Sequence, residues 1–254
     1  MQNKEFYDNN GYVILKGFFS EETCDKISEK MRYWGDKEYT SIMNPDRMEY
    51  LIPQCFKNTK KYLTDNVDDI ERAIETADIM KEIMLNSNFL EALNNITDKN
   101  NNPICSHYFF KQPGTAYAAQ SWVPHQDNSW TKNDNNQLHL AHIALEESTI
   151  DNGCIYLYAG SHKESLLPVL QNPQLLTEGL NPGRLIEVPE KYLNRKVDCI
   201  MDKGDVVICH GNTIHGSYAN TSTRSRQSYA IHYIPENETF ISGERARRKA
   251  IKRS

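Results

Sequence analysis

The spacing of apolar positions changes along the chain at about residue 100. Upstream they recur every three or four residues. Downstream they fall in short runs separated by turn residues. Cys24, Ile27, Met31 and Trp34 follow Ser20, Glu21 and Glu22, which suit a helix N-cap and an acidic first turn. This pattern predicts an amphipathic helix to about Tyr33. Before it, a polar opening segment leads into Gly11-Tyr12-Val13-Ile14-Leu15, which predicts a short strand. Residues 67–93 predict another helix, with Ile70, Ile74, Ile79, Ile83 and Leu90 on its buried side. Residues 35–65 have no clean period and are expected to be irregular, either as a packed loop or as a cover over a site mouth. The asparagine-rich segment 94–102 is expected to be a polar loop dividing a helix-rich front from a β-rich body.

Beyond that segment, strands are predicted over 104–111, 138–145, 154–158, 185–188, 205–210 and 228–234, with a further extended stretch beginning at Trp122. Gln112-Pro113-Gly114, Asn152-Gly153 and Lys203-Gly204-Asp205 mark tight turns. Many short strands with such turns imply a sandwich or barrel. The expected architecture is mainly β with flanking helices. All of 1–254 is expected to form one domain, with the helix-rich 1–100 packed on a 101–240 core.

Composition narrows the class. A formal charge of −5 argues against general nucleic-acid binding. No apolar run approaches the length of a membrane helix, and the polar N-terminus has no secretory signal behind it, so a cytoplasmic protein without a membrane partner is expected. The six cysteines form no C-x-x-C and read as reduced, mostly buried thiols. Six basic residues between Arg245 and Arg253 read as a solvated tail that could also receive an acidic group.

The chemistry centres on His125-Gln126-Asp127. On an extended strand, residues two apart share a face, so an imidazole and a carboxylate could grip one metal ion. Two ligands hold a divalent ion weakly. A histidine from a facing strand would complete the two-histidine, one-carboxylate set of non-haem Fe(II) oxygenases. His215, in Ile214-His215-Gly216-Ser217, is the candidate, and Arg226 follows eleven residues later. Taken alone, each motif is weak and has a bland reading, a hydrogen-bonded histidine near a turn.

Together these motifs fall in a recognisable order. Gly11-Tyr12-Val13, Lys111-Gln112-Pro113-Gly114, His125-Gln126-Asp127, Asn152-Gly153, Gly160-Ser161-His162-Lys163 and His215-Gly216-Ser217 through Arg226 resemble the phytanoyl-CoA dioxygenase family of Fe(II)/2-oxoglutarate-dependent oxygenases. The resemblance spans almost the whole chain and implies a double-stranded β-helix, or jelly roll. It implies Fe(II), 2-oxoglutarate and dioxygen as cofactors, with His125, Asp127 and His215 as iron ligands. It implies that Arg226 binds the far carboxylate of 2-oxoglutarate, which a planar guanidinium fork suits. Arg224 is read as surface. Ser217 either adds a hydroxyl contact to that carboxylate or makes a local turn contact. Halogenases of the family lack the carboxylate ligand, so Asp127 implies no halogenation.

His142 stands where relatives frequently carry tryptophan. It is a candidate for cosubstrate or pocket contact, with a core histidine bonded to a carbonyl as the bland alternative. His107, Gln120, Tyr117 and Trp130 are candidate pocket residues, and Asn128 lies beside them in sequence. The implied reaction is hydroxylation of a small polar metabolite or natural-product intermediate. Two other classes compete: a cupin-like metalloprotein doing hydrolysis or isomerisation, and a non-catalytic jelly roll that binds a partner. Arg226 weighs against the first and the complete triad against the second.

Overall fold

A computed structural model describes residues 2–36, 47–50, 67–115, 117–170 and 184–239. The elements are α1 (Gln2–Asn10), β1 (Tyr12–Leu15), α2 (Glu21–Asp36), β2 (Arg47–Tyr50), α3 (Val67–Met84), α4 (Ser87–Thr97), β3 (Asn101–Phe110), β4 (Trp122–His125), β5 (His139–Ala144), β6 (Ile155–Tyr158), α5 (Glu190–Leu193), β7 (Lys196–Asp198), β8 (Val206–His210), β9 (His215–Ser217) and β10 (Gln227–Pro235). They form a six-stranded sheet, β1-β8-β5-β10-β3-β2, and a four-stranded sheet, β4-β9-β6-β7. All the pairings are antiparallel. The two sheets make a jelly roll flanked by helices, the expected fold class.

The large sheet is buried on both faces. Ala141, Ile143, Tyr229, Ile231, Tyr108 and Phe110 pack with Ile27, Met31, Phe89 and Leu93 of the helices. The alternate positions Leu140, Ala144, Val207, Cys209 and Ala230 pack with Ile155 and Leu157 of the small sheet. Strand alternation therefore separates two cores rather than core from solvent. The site lies on the inner face, between the sheets.

Several expectations shift. The opening segment is a helix, α1. The single helix expected over 67–93 is two, because Asn86 accepts a hydrogen bond from Phe89 N and caps a new helix. The expected polar loop 94–102 shrinks, since α4 runs to Thr97 and β3 starts at Asn101. The front half also supplies β1 and β2, the edge strands of the large sheet. No strand forms over 185–188; Ile186 makes an isolated bridge to Val169. Apart from β2, the 35–65 expectation falls almost wholly outside the described residues, as does the basic tail. The thiols of Cys24, Cys105, Cys154, Cys199 and Cys209 are free and buried. No helix among the described residues is long and apolar enough to cross a membrane.

Candidate active site

β4 and β9 are paired with His125 opposite His215, so both imidazoles leave the small sheet at one level. Asp127 lies just past the end of β4. The strand does not continue through it, as the sequence reading assumed. Instead Asp127 opens a one-turn 3-10 helix, Asp127–Ser129, and its carbonyl accepts from Trp130 N at 2.9 Å. The turn still swings the carboxylate back between the two rings. Gly216, beside His215, is required by close approach: a Cβ there would meet Trp122 O and Tyr156 Oη at 2.4 Å each.

Each imidazole is oriented by the backbone. His125 Nδ1 lies 2.7 Å from Val123 O and His215 Nδ1 lies 2.9 Å from Thr213 O. Carbonyls only accept, so each Nδ1 carries the proton and each Nε2 presents a lone pair. These lone pairs face Asp127, with His125 Nε2 3.4 Å from Oδ1 and His215 Nε2 3.8 Å from Oδ2. Both separations are long for hydrogen bonds, and the three ligand atoms lie within 4.8 Å of one another. Acceptors converging without donors between them suit a shared cation. Burial lowers the His215 pKa to about 4, helped by His125, so the ring is a neutral ligand. Burial works to raise the Asp127 pKa, but His215, His125 and His232 outweigh it and hold the carboxyl well below its usual range. Two neutral imidazoles and a carboxylate are the donor set that fits Fe(II).

Arg226 and Arg224 are placed very differently. Arg224 is exposed and pairs with Glu147 and Asp151. Arg226 is 3% exposed and immediately precedes β10. Its Nη1 donates to Ser228 Oγ at 2.6 Å, and its Nε has no hydrogen-bond partner. Burial lowers its pKa, yet a guanidinium stays charged. Lys111 is buried beside it. Burial, then Arg226, pushes the lysine well below its ordinary value. Lys111 Nζ donates to Gln120 O at 3.0 Å and Ser217 Oγ at 3.2 Å, and also to Tyr218 O. Among the described residues no acidic side chain pairs with either cation. A buried guanidinium with an idle N–H and no acidic partner among the described residues fits an anionic ligand such as the 2-oxoglutarate carboxylate.

A cleft partly open to solvent lies among these groups. His107, Tyr117, Trp130, His142, Ser217, Arg226 and the three triad residues line it. Gln120 does not; its carbonyl accepts from Lys111 and its N–H donates to Tyr117 O. Asn128 is buried and structural, donating to Asn136 O and Asn212 Oδ1. His142 lies 5.9 Å from the Phe109 ring, and its Nδ1 is buried without a partner. Burial, then His215, holds His142 well below its usual pKa, so it is neutral. Trp130 sits under the Arg184 guanidinium at 5.0 Å.

Two residues escaped the sequence reading. Lys111 was part of a turn motif. His232 lies against Asp127, its Nε2 3.4 Å from Oδ2. Burial opposes its charged form, but Cys105 and Asp127 raise it to about 9. Counting by twos from Arg226 along β10 reaches His232 and would have placed it on the same face.

A jelly roll with two histidines and a carboxylate on one side of an internal cleft defines the class of non-haem iron oxygenases. The family model for phytanoyl-CoA dioxygenase (PhyH) matches residues 7–228, and the chain belongs to that family. It is a non-haem oxygenase using Fe(II), 2-oxoglutarate and dioxygen. Phytanoyl-CoA dioxygenase 1 of Oryza sativa subsp. japonica is 26% identical, covering 90% of this chain and 86% of the relative. A phytanoyl-CoA dioxygenase domain-containing protein 1 homolog of Caenorhabditis briggsae is 28% identical, covering 93% and 91%. Among solved structures, the epimerase SnoN in complex with Fe3+, alpha ketoglutarate and nogalamycin RO superposes with a TM-score of 0.70. It is 15% identical, covering 94% of this chain and 84% of the other. EctD from S. alaskensis with 2-oxoglutarate and 5-hydroxyectoine gives 0.66 at 14% identity, covering 92% and 75%. At these identities the structures speak to the fold alone.

Proposed function

We propose that this oxygenase hydroxylates a C–H bond of a small polar metabolite or natural-product intermediate, with His125, Asp127 and His215 holding Fe(II). The observation that carries the reading is the convergence of three ligand atoms beside a buried arginine whose Nε has no partner. When bound, iron supplies dioxygen activation coupled to decarboxylation of 2-oxoglutarate to succinate and carbon dioxide.

The chain's own groups do the rest. Val123 O and Thr213 O fix the ring tautomers, so both Nε2 atoms stay unprotonated towards the metal. Arg226 takes the far carboxylate of 2-oxoglutarate. Lys111 adds charge behind it and donates to Ser217 Oγ, which leaves the serine proton free to point at the same carboxylate. Phe109, Trp122, Leu140 and Ile155 wall the cleft and exclude water. His142 and His107 supply polar contacts to the substrate on an otherwise apolar wall. An epimerase and a carbocyclase share this fold, so the fold by itself does not fix the outcome of C–H oxidation.

The test is a panel of small polar substrates with Fe(II), 2-oxoglutarate and oxygen, reading succinate and product mass. Substrate-dependent succinate with a product heavier by one oxygen supports the proposal. Zinc- or manganese-supported turnover without 2-oxoglutarate would refute it in favour of hydrolysis or isomerisation.

A further inference from the structure

Cys105, His107 and His232 form a second buried cluster of potential ligands beside the triad. Its geometry is uneven. Cys105 Sγ is 3.1 Å from His232 Nδ1 but 3.8 Å from His107 Nε2. The short separation is a thiol–imidazole hydrogen bond. The informative feature is what the other side of His232 touches.

Cys105 and His232 are direct partners across β3 and β10. With Nδ1 facing sulfur, the Nε2 edge faces Asp127 Oδ2 at 3.4 Å. A thiol donating to Nδ1 leaves the proton on Nε2. A thiolate paired with a doubly protonated ring leaves it there too. In both of these states, though not in one where the ring donates Nδ1–H to the sulfur, the ring offers Asp127 an N–H. The other two imidazoles at that carboxylate cannot, because their protons are committed to Val123 O and Thr213 O. At 3.4 Å this contact is at the long end of hydrogen-bond range, and unlike the contact from His125 it has an N–H on the ring edge that faces the carboxylate in these states.

We propose that His232 is a positioning residue: its Nε2–H holds one carboxylate oxygen of Asp127, so the other is presented to the metal, and Cys105 fixes the ring tautomer. The inference rests on Asp127 being a metal ligand, as proposed above. His232 approaches from the large sheet, whereas His125, Asp127 and His215 come from the small sheet and its flank. It therefore ties the metal site to the opposite sheet. Groups that orient ligands in this way typically change metal affinity by about 10- to 100-fold when lost.

The experiment measures Co(II) affinity of the full chain by anaerobic titration, together with the d–d spectrum that reports coordination. His232→Leu should bind Co(II) about 10- to 100-fold more weakly with an altered spectrum. His232→Gln, which keeps an N–H at a similar reach, should recover most of the affinity. Equal losses in both variants would mean that ring shape alone matters, and would overturn the proposal. So would normal Co(II) affinity in His232→Leu, with or without a raised substrate KM. A second tight equivalent of metal that Cys105→Ser abolishes would likewise overturn it, since Nδ1 would then be a ligand. Asp127→Ala separates the two readings: if it binds Co(II) normally, the triad assignment fails. If it loses affinity and His232→Leu does not, only this inference fails. Should His232→Leu not fold, the ring nitrogens of the wild-type protein loaded with Zn(II) decide by 15N NMR. A proton on Nε2 supports the proposal, and a ring protonated only at Nδ1 overturns it.

Discussion

Replacing Arg226 by methionine tests the cosubstrate site without changing side-chain bulk much. In the wild type, a guanidinium 3% exposed has, among the described residues, one hydrogen bond, to Ser228 Oγ, and no acidic partner. Its charge is therefore a burden to the empty protein and an asset once a carboxylate arrives. Removing one partner of such a desolvated pair costs about 3–5 kcal/mol. At ~1.4 kcal/mol per decade that is on the order of a hundredfold to a few thousandfold in 2-oxoglutarate affinity. Lys111, which reaches the same locus through Ser217 Oγ, leaves one cation behind and pulls the loss towards the lower end. Arg226→Met should leave the ligand-free protein no less stable, because it deletes an unpaired buried charge. Two assays follow: anaerobic titration of 2-oxoglutarate into the Fe(II) protein, and the rise in Tm at fixed 2-oxoglutarate. That rise should be large in the wild type and nearly absent in the variant. Arg224→Met, at an exposed pair, should change neither by more than about twofold. Binding by Arg226→Met within threefold of wild type, or a larger loss in Arg224→Met, would refute the reasoning.

Asp127→Ala should abolish substrate-dependent succinate formation and weaken Fe(II) binding, read by oxygen uptake and metal titration; added chloride should yield no halogenated product from the wild type. His142→Trp should retain Fe(II) binding and 2-oxoglutarate turnover while lowering the ratio of oxidised product to succinate. An unchanged ratio at unchanged rate would make His142 a packing residue. Lys111→Met should lose about 1–3 kcal/mol of stability for each polar partner left unsatisfied, Gln120 O and Tyr218 O foremost. It should also raise the 2-oxoglutarate requirement, by a smaller factor than Arg226→Met.

How far the sequence could be read depended on how local each feature was. Gly160 and Gly204, both at positive φ, sit in turns whose chemistry is written in a few adjacent residues. The iron-site motifs were legible for a similar reason, since the β4–β9 pairing brings two short segments together. Features without a strong local period were missed. In α1 the one buried residue is Tyr7, so no apolar stripe announces the helix. β7 and β9 are three residues long, too short for alternation to show. The break at Asn86 was hidden because helical spacing runs on through it, and only the cap to Phe89 N reveals it.

The site's polar residues posed the opposite problem. β3, β5 and β10 read as continuous buried strands, yet His107, His142, Ser228 and His232 lie within them and Arg226 immediately before β10. A strand buried on both faces has no solvent side on which such residues could rest. Each must find a partner within the protein or a ligand, or leave an uncompensated desolvation cost. Ser228 finds Arg226 and His232 finds Cys105. His142 Nδ1 and Arg226 Nε find nothing among the described residues. Alternation between apolar and polar residues in strands that solvent cannot reach is therefore itself the signal of an internal site. Both residues line the cleft, which makes these two atoms the proposed contact points for bound ligands.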